Sequence, residues 1–274
     1  MTVPSVTLNN GMRLPQLGLG VWQVPPEEVA EAVSAAVDAG YRSIDTAASY
    51  GNEKEVGEAL RRSGLNRGDV FITTKLANPD HGYDTTLRAF DASLRRLGVE
   101  AVDLYLIHWP LPDQDRYVST WKALERIYAE GRARAIGVSN FHVPQLERIM
   151  EEGGIIPMVN QVELHPMLAQ KELRRFHAAH GIVTEAWSPL GHGRLLDHPT
   201  VVDIAQETGR TPAQVLLRWN VRLGNMVIPK SVTPARIRAN FEIFDFELSD
   251  GQTERLDALN SGTRFGPDPE EFRG

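Results

Sequence analysis

Four ionisable side chains stand where apolar segments of this 274-residue chain run out. Asp45 closes Ser-Ile-Asp, Lys75 closes Phe-Ile-Thr-Thr-Lys, His108 closes Leu-Tyr-Leu-Ile-His, and Tyr50 follows Asp45 by five residues. Taken singly, each has a plain explanation: a turn cap, a solvated strand end, a structural histidine. Taken together they do not, because an Asp or Lys is costly to bury alone and three separate strands would each have to place one. Brought to one place, they make a proton-transfer site. A phenol titrates near about 10, a neighbouring cation favours its phenolate, and a carboxylate holds the cation in place. Tyr50 would then give or take the proton, Lys75 and Asp45 would tune it, and His108 would orient a substrate oxygen. A carbonyl polarised in this way still needs a nucleophile. The chain has no cysteine and no serine in an elbow motif, so a hydride from a bound cofactor fits best.

The elements around these residues determine whether they can meet. Residues 6–15 read as a hairpin, two short strands joined by Asn10-Gly11. Apolar runs then appear at 17–21, 43–45, 70–75, 102–108, 134–138, 158–162, 182–187 and 226–229. Each is followed by a stretch of helical period, at 27–39, 53–62, 85–97, 117–130, 143–150, 171–180, 201–208 and 234–240. Runs such as Val-Asp-Leu-Tyr-Leu-Ile suit parallel strands covered on both faces. The length suits an α/β protein of the (β/α)8 TIM-barrel class, with the active site at the carboxyl ends of its strands. The rival doubly wound sheet needs a dinucleotide fingerprint after its first strand. Gly18-Leu-Gly20 and Gly191-His-Gly193 both lack the third glycine, having Gln23 and Leu196 there. Stretches 212–222 and 253–259 are two extra helices outside the eightfold count, and 261–274 reads as a loop or flap. No linker or repeat interrupts the series, so residues 1–274 are expected to form a single barrel domain.

Several apparent motifs lead elsewhere. Tyr50-Gly-Asn-Glu-Lys54 spells the Tyr-x-x-x-Lys pair of short-chain dehydrogenases, but only 49 residues precede it, too few for the dinucleotide-binding half that family requires. His165, His177 and His180 lack an acidic ligand at the usual spacing, so no metal site is expected. Trp22, Trp109 and Trp187 each follow a strand end and suit an aromatic pocket. Late in the chain, Lys230-Ser231 ends the eighth strand and Arg236 falls in the first turn of the next helix, a cationic pocket suited to a phosphate. Ser139, Asn140 and Gln161, at strands five and six, suit an amide such as a nicotinamide carboxamide, with Trp187 stacking on the ring.

Composition narrows the field further. With 29 basic and 36 acidic side chains the net charge is −7, and no Lys/Arg block occurs, so neither nucleic acid nor a membrane surface is an expected partner. The absence of cysteine fits a reducing compartment, no apolar run is long enough to span a membrane, and no signal peptide opens the chain; a cytoplasmic, monomeric protein acting on a small molecule is expected.

Three segments together resemble the aldo-keto reductases over essentially the whole chain. Gly40-Tyr-Arg-Ser-Ile-Asp-Thr-Ala47, continuing through Tyr50 and Glu53 to Val56-Gly57, is similar to the family's first signature; Ile136-Gly-Val-Ser-Asn-Phe141 resembles the second, and 228–240 the third. The resemblance implies a catalytic tetrad of Asp45, Tyr50, Lys75 and His108. It implies that Ser139, Asn140, Gln161 and Trp187 hold nicotinamide, with Gly20, Val21, Ser188 and Leu190 also on the cofactor. Lys230, Ser231, Val232, Arg236 and Asn240 would hold the adenosine phosphate end, which implies NADPH. The opening Met-Thr-Val-Pro-Ser, the loop after Pro189 and the short tail look most like the prokaryotic branch containing 2,5-diketo-gluconate reductases. Ala239 replaces a Glu frequent in the third signature, which removes one adenine contact. Ala77 replaces a bulky aromatic, which widens the pocket between Trp22 and Trp109 for a larger carbonyl substrate. The implied reaction is reduction of aldehydes or ketones, α-dicarbonyls and keto-sugars among them. Two rivals are a cofactor-binding regulatory subunit without activity and a metal-dependent barrel hydrolase.

Overall fold

Strands buried along nearly their whole length and paired in parallel set the architecture, seen in a computed structural model that describes residues 3–273. The opening Met1-Thr2 and the final Gly274 of the tail lie outside the described residues. Strands β1 (Ser5–Thr7) and β2 (Arg13–Pro15) pair antiparallel about Gly11, whose φ of +84° only a glycine adopts freely. Leu8 and Leu14 of this hairpin are buried, and Asn9 and Asn10 donate side-chain hydrogen bonds to the carbonyls of Pro157 (3.2 Å) and Arg134 (3.0 Å). The hairpin therefore covers the amino-terminal end of the barrel, where those strands begin.

Eight parallel strands follow: β3 (Leu19–Gly20), β4 (Ser43–Asp45), β5 (Phe71–Leu76), β6 (Val102–Ile107), β7 (Ala133–Ser139), β8 (Val159–Glu163), β9 (Val183–Trp187) and β10 (Met226–Val227), each paired with the next in chain order. Helices α1 (Pro26–Ala39), α2 (Glu53–Arg62), α3 (Tyr83–Leu97), α4 (Tyr117–Ala129), α5 (Val143–Glu152), α6 (Lys171–His180), α7 (Pro199–Thr208) and α9 (Pro234–Phe241) follow the eight strands in turn, giving the expected TIM barrel. The extra helices are α8 (Pro212–Arg222) and α10 (Asp250–Asp257). The last begins three residues earlier than its apolar pattern suggests, because Ser249 and Gln252 form a reciprocal cap. No helix among the described residues is long and apolar enough to cross a membrane.

The first and eighth barrel strands are shorter than the sequence suggests, two residues each, because they meet at an irregular seam. There the amide of Gly18 donates to Val227 O (2.9 Å), Gly20 to Pro229 O (3.1 Å) and Val227 to Gln16 O (3.1 Å), and parallel bridges join Leu17 to Val227 and Gly20 to Lys230. A Cβ on Gly20 would lie 2.9 Å from the carbonyl oxygen of Ile228, so glycine is what lets the two edges close.

Candidate active site

The face of each strand residue is fixed by its neighbours. Thr74 on β5 turns outward and donates to Glu53 Oε1 of α2 (2.6 Å), so Lys75 beside it turns into the barrel. Asp45 pairs in register with Thr73, which puts it one inward position from Lys75. The result is a buried ion pair: Lys75 Nζ donates to Asp45 Oδ1 (2.5 Å) and to Thr46 O (3.0 Å), with the lysine wholly inaccessible. The third ammonium hydrogen is directed to Tyr50, whose hydroxyl oxygen lies 3.3 Å away. A short 3-10 turn, Ala48–Tyr50, carries the tyrosine back over the strand ends. Its ring meets His108 edge-on, with centroids 5.6 Å apart.

These contacts set the proton inventory. Burial opposes the charge on Lys75, but Asp45 and the Tyr50 oxygen outweigh it and hold the ammonium above its ordinary range. Burial raises the Tyr50 phenol, Lys75 pulls it down, and Asp45 pushes it up again. The net is a rise, where the sequence, with Lys75 and Asp45 tuning the phenol and burial left out, leads to a lowered one. Burial, with Lys75 adding to it, drives His108 well below the usual imidazole range, so the ring is neutral. Its Nδ1 lies 3.3 Å from Ser49 Oγ.

Around this group lies a cavity of about 670 Å³ at the carboxyl ends of the strands. Asp45, Tyr50 and His108 reach its wall, with Lys75 just beneath. Gly20, Ser139, Asn140, Gln161, Trp187, Ser188 and Lys230 also line it. Trp22, Ala77 and Trp109 supply apolar parts of the wall, with Trp22 42% exposed. Val21, Leu190, Ser231, Val232, Arg236 and Asn240 are not on the cavity wall. Ser231 to Asn240 continue from Lys230 into α9, with Arg236 exposed in its first turn and Asn240 buried in its last.

The polar side is largely tied to the protein itself. Asn140 has a φ of +64°, a conformation Asn tolerates, and its amide donates to His108 O (2.9 Å) and Ser139 Oγ (3.1 Å) while accepting from Trp187 Nε1 (2.8 Å). Ser139 Oγ donates to Gln161 O (2.8 Å). Gln161 Nε2 donates to Asp45 Oδ2 and to Glu185 Oε1, both at 2.8 Å. Only the Gln161 Oε1 of this amide pair lacks a bond to a described residue, so the amide recognition that the sequence spreads over three residues narrows to one free acceptor.

Sequence reasoning missed the tail. Glu163 at the end of β8 accepts from the amides of Phe265 (2.7 Å) and Gly266 (3.0 Å) and from His165 Nε2 (3.0 Å). Burial opposes its charge, but these bonds outweigh it and hold the carboxyl below its usual range. A Cβ on Gly266 would lie 2.4 Å from the Trp187 ring, so the tail lies directly on that indole. Further on, Phe272 packs on Trp109 with centroids 4.3 Å apart, and both tail phenylalanines line the cavity. His177, bonded to Asn160 (2.9 Å) and Thr184 (2.8 Å), is a core residue, and no cluster of three or more His, Asp or Glu side chains suited to a metal occurs among the described residues.

A barrel whose strand ends gather a buried lysine, a phenol and a neutral imidazole beside a long cleft is the architecture of an oxidoreductase of the carbonyl-reducing kind. Residues 12–261 match the aldo/keto reductase family, and the chain belongs to it. An aldo-keto reductase of Mycobacterium sp. (strain KMS) is 56% identical over 272 residues, 99% of each chain. A morphine 6-dehydrogenase of Pseudomonas putida is 50% identical over 281 residues, 98% of this chain and 95% of the other. Among solved structures, an aldo/keto reductase from Brucella melitensis superposes with a TM-score of 0.92 at 54% identity, covering 94% of this chain and all of that one. A mutant of Gox0644 in complex with NADPH superposes with a TM-score of 0.95 at 46% identity, covering 99% of each chain.

Proposed function

We propose that this protein reduces aldehydes and ketones to alcohols with NADPH, as a single barrel domain over residues 1–274, monomeric and cytoplasmic. The observation that carries this reading is Lys75 Nζ held between Asp45 and Tyr50 at the floor of the cavity. Tyr50, protonated at neutral pH, is the acid that protonates the carbonyl oxygen. The Lys75 ammonium, already aimed at the phenol oxygen, stabilises the phenolate left behind, and Asp45 fixes the ammonium in place. His108 takes part as the neutral tautomer with its proton on Nε2, from which it donates to the same carbonyl oxygen, while Nδ1 accepts from Ser49 Oγ 3.3 Å away. Reduced nicotinamide, when bound, supplies the hydride.

The free groups fit that cofactor. Gln161 Oε1 is an unpaired acceptor for a carboxamide. At the other end of the cleft the α9 N-terminus has no side-chain cap, with Lys230 before it and Arg236 in its first turn, a setting for a phosphate. On this reading Gly20 and Ser188, on the cavity wall, flank the path between with Val21 and Leu190 behind them, and Ser231, Val232 and Asn240, off the wall, belong with the phosphate end. The Trp22, Ala77 and Trp109 wall carries no charge, which suits an uncharged carbonyl chain. Consumption of NADPH and NADH against aldehydes, α-dicarbonyls and keto-sugars tests the reading. NADPH-dependent reduction of at least one class is expected; tight NADPH binding with no turnover across the panel favours the regulatory-subunit alternative.

A further inference from the structure

One buried carboxyl group has no part in the steps above. Glu185 lies on β9, in register with Gln161 on β8 and Met226 on β10, and is fully buried. Its Oε1 takes one hydrogen of Gln161 Nε2 while Asp45 Oδ2 takes the other. Its Oε2 is buried with no partner. A Gln amide can be built two ways round, and chemistry decides between them here. With the amide reversed, its carbonyl oxygen would face the Asp45 carboxylate and neither N–H would reach Asp45 or Glu185.

We propose that Glu185 is a positioning residue: by accepting the second Gln161 N–H it locks that amide so that Oε1 alone faces the cavity, as an acceptor for a carboxamide N–H. This rests on the reading in which the cavity takes a dinucleotide. The groups that face Glu185 support it. Asp45 on β4 and Lys75 on β5 are the charged ones, Tyr50 lies beyond them, and Gln161 and Met226 beside it are neutral. Burial and Asp45 push the Glu185 carboxyl up, Lys75 and the Gln161 bond pull it back, and it comes to rest at about 8. At neutral pH it is therefore mainly the acid, and Asp45 and Lys75 balance each other without a second negative charge. Above that pH a carboxylate appears behind Gln161, where its charge favours a cationic oxidised ring over a neutral reduced one in the cavity.

The test is equilibrium binding of NADPH and NADP+ to the intact wild type, Glu185→Gln and Glu185→Met, from neutral pH to well above 8. Glutamine keeps the acceptor and removes the titration; methionine removes both at similar volume. Glu185→Met is expected to bind NADPH roughly 3- to 10-fold more weakly at neutral pH, the worth of one hydrogen bond, with Glu185→Gln unchanged. Equal affinity in wild type and Glu185→Met, or an equal loss in both variants, overturns the proposal. Wild-type preference for NADP+ over NADPH is expected to grow about threefold or more as pH rises through about 8, and to stay flat in Glu185→Gln. That comparison decides the matter alone if Glu185→Met does not fold, and parallel pH curves in wild type and Glu185→Gln overturn the proposal. A wild type that binds neither nucleotide would instead remove the dinucleotide reading beneath it.

Discussion

Tyr50 meets two opposing influences, and if it is the proposed acid their balance sets the pH range of carbonyl reduction. Burial holds the phenol above its ordinary value despite Lys75, so its proton is present at neutral pH and lost only as pH passes above the usual phenol range. His108, held far below the usual imidazole range, is neutral throughout that window. Carbonyl reduction is therefore expected to be flat across neutral pH in kcat/KM and to fall only on the alkaline side; a fall near neutrality would mean that another group supplies the proton. The gathering of Asp45, Tyr50, Lys75 and His108 at one cavity is legible because each is an ionisable group ending an apolar strand or just after one. Which lysine lies beside Tyr50 is legible too: Lys54 is exposed and faces Glu58 at 4.0 Å, while Lys75 is buried against Asp45 and 3.3 Å from the Tyr50 oxygen. Glu185 breaks an apolar strand in the same manner but gives a weaker signal, because it lies inside the strand and not at its end. Asp103 shows why position along the strand matters, since near the start of β6 it binds Arg67 (2.7 Å) and Arg134 (3.2 Å) at the opposite end of the barrel.

Two elements frame the cleft, and only one carried a readable signal. At α9 a proline at the first helical position, an arginine two residues on and a lysine upstream mark a helix start with cationic flanks. Lys230→Ala and Arg236→Ala are each expected to weaken NADPH severalfold more than NADH, because only the former carries the extra phosphate. Equal losses, measured by fluorescence titration, would move the phosphate elsewhere. The tail has no periodicity to read, and its course depends on Glu163, whose capture of two backbone amides is a product of the finished fold. Phe272 covers Trp109 on the apolar wall. Phe272→Ala is expected to raise KM for apolar carbonyls roughly 5-fold or more with kcat little changed, the worth of a lost aromatic contact; an unchanged KM would place the substrate away from Trp109.

At the scale of the whole molecule, the alternation of strand and helix was enough to infer the barrel, while its closure was not visible. The seam between β3 and β10 depends on Gly18 and Gly20, which in sequence look like half of a phosphate-binding loop. In the structure Gly20 instead lets one strand edge approach the carbonyl of Ile228. Gly20→Ala is expected to cost about 1–3 kcal/mol in urea unfolding, the usual penalty for overfilling a packed interior; a neutral outcome would mean that the seam yields easily. Closure matters to function because it sets Gly20 and Lys230 side by side on the cleft that also holds Tyr50. The central claim, that this cleft reduces carbonyls with Tyr50 as the acid, is tested most directly by Tyr50→Phe. That variant is expected to bind NADPH as wild type does and yet to oxidise almost none of it when mixed with a carbonyl that wild type reduces. Substantial carbonyl reduction by the phenylalanine variant would contradict the account.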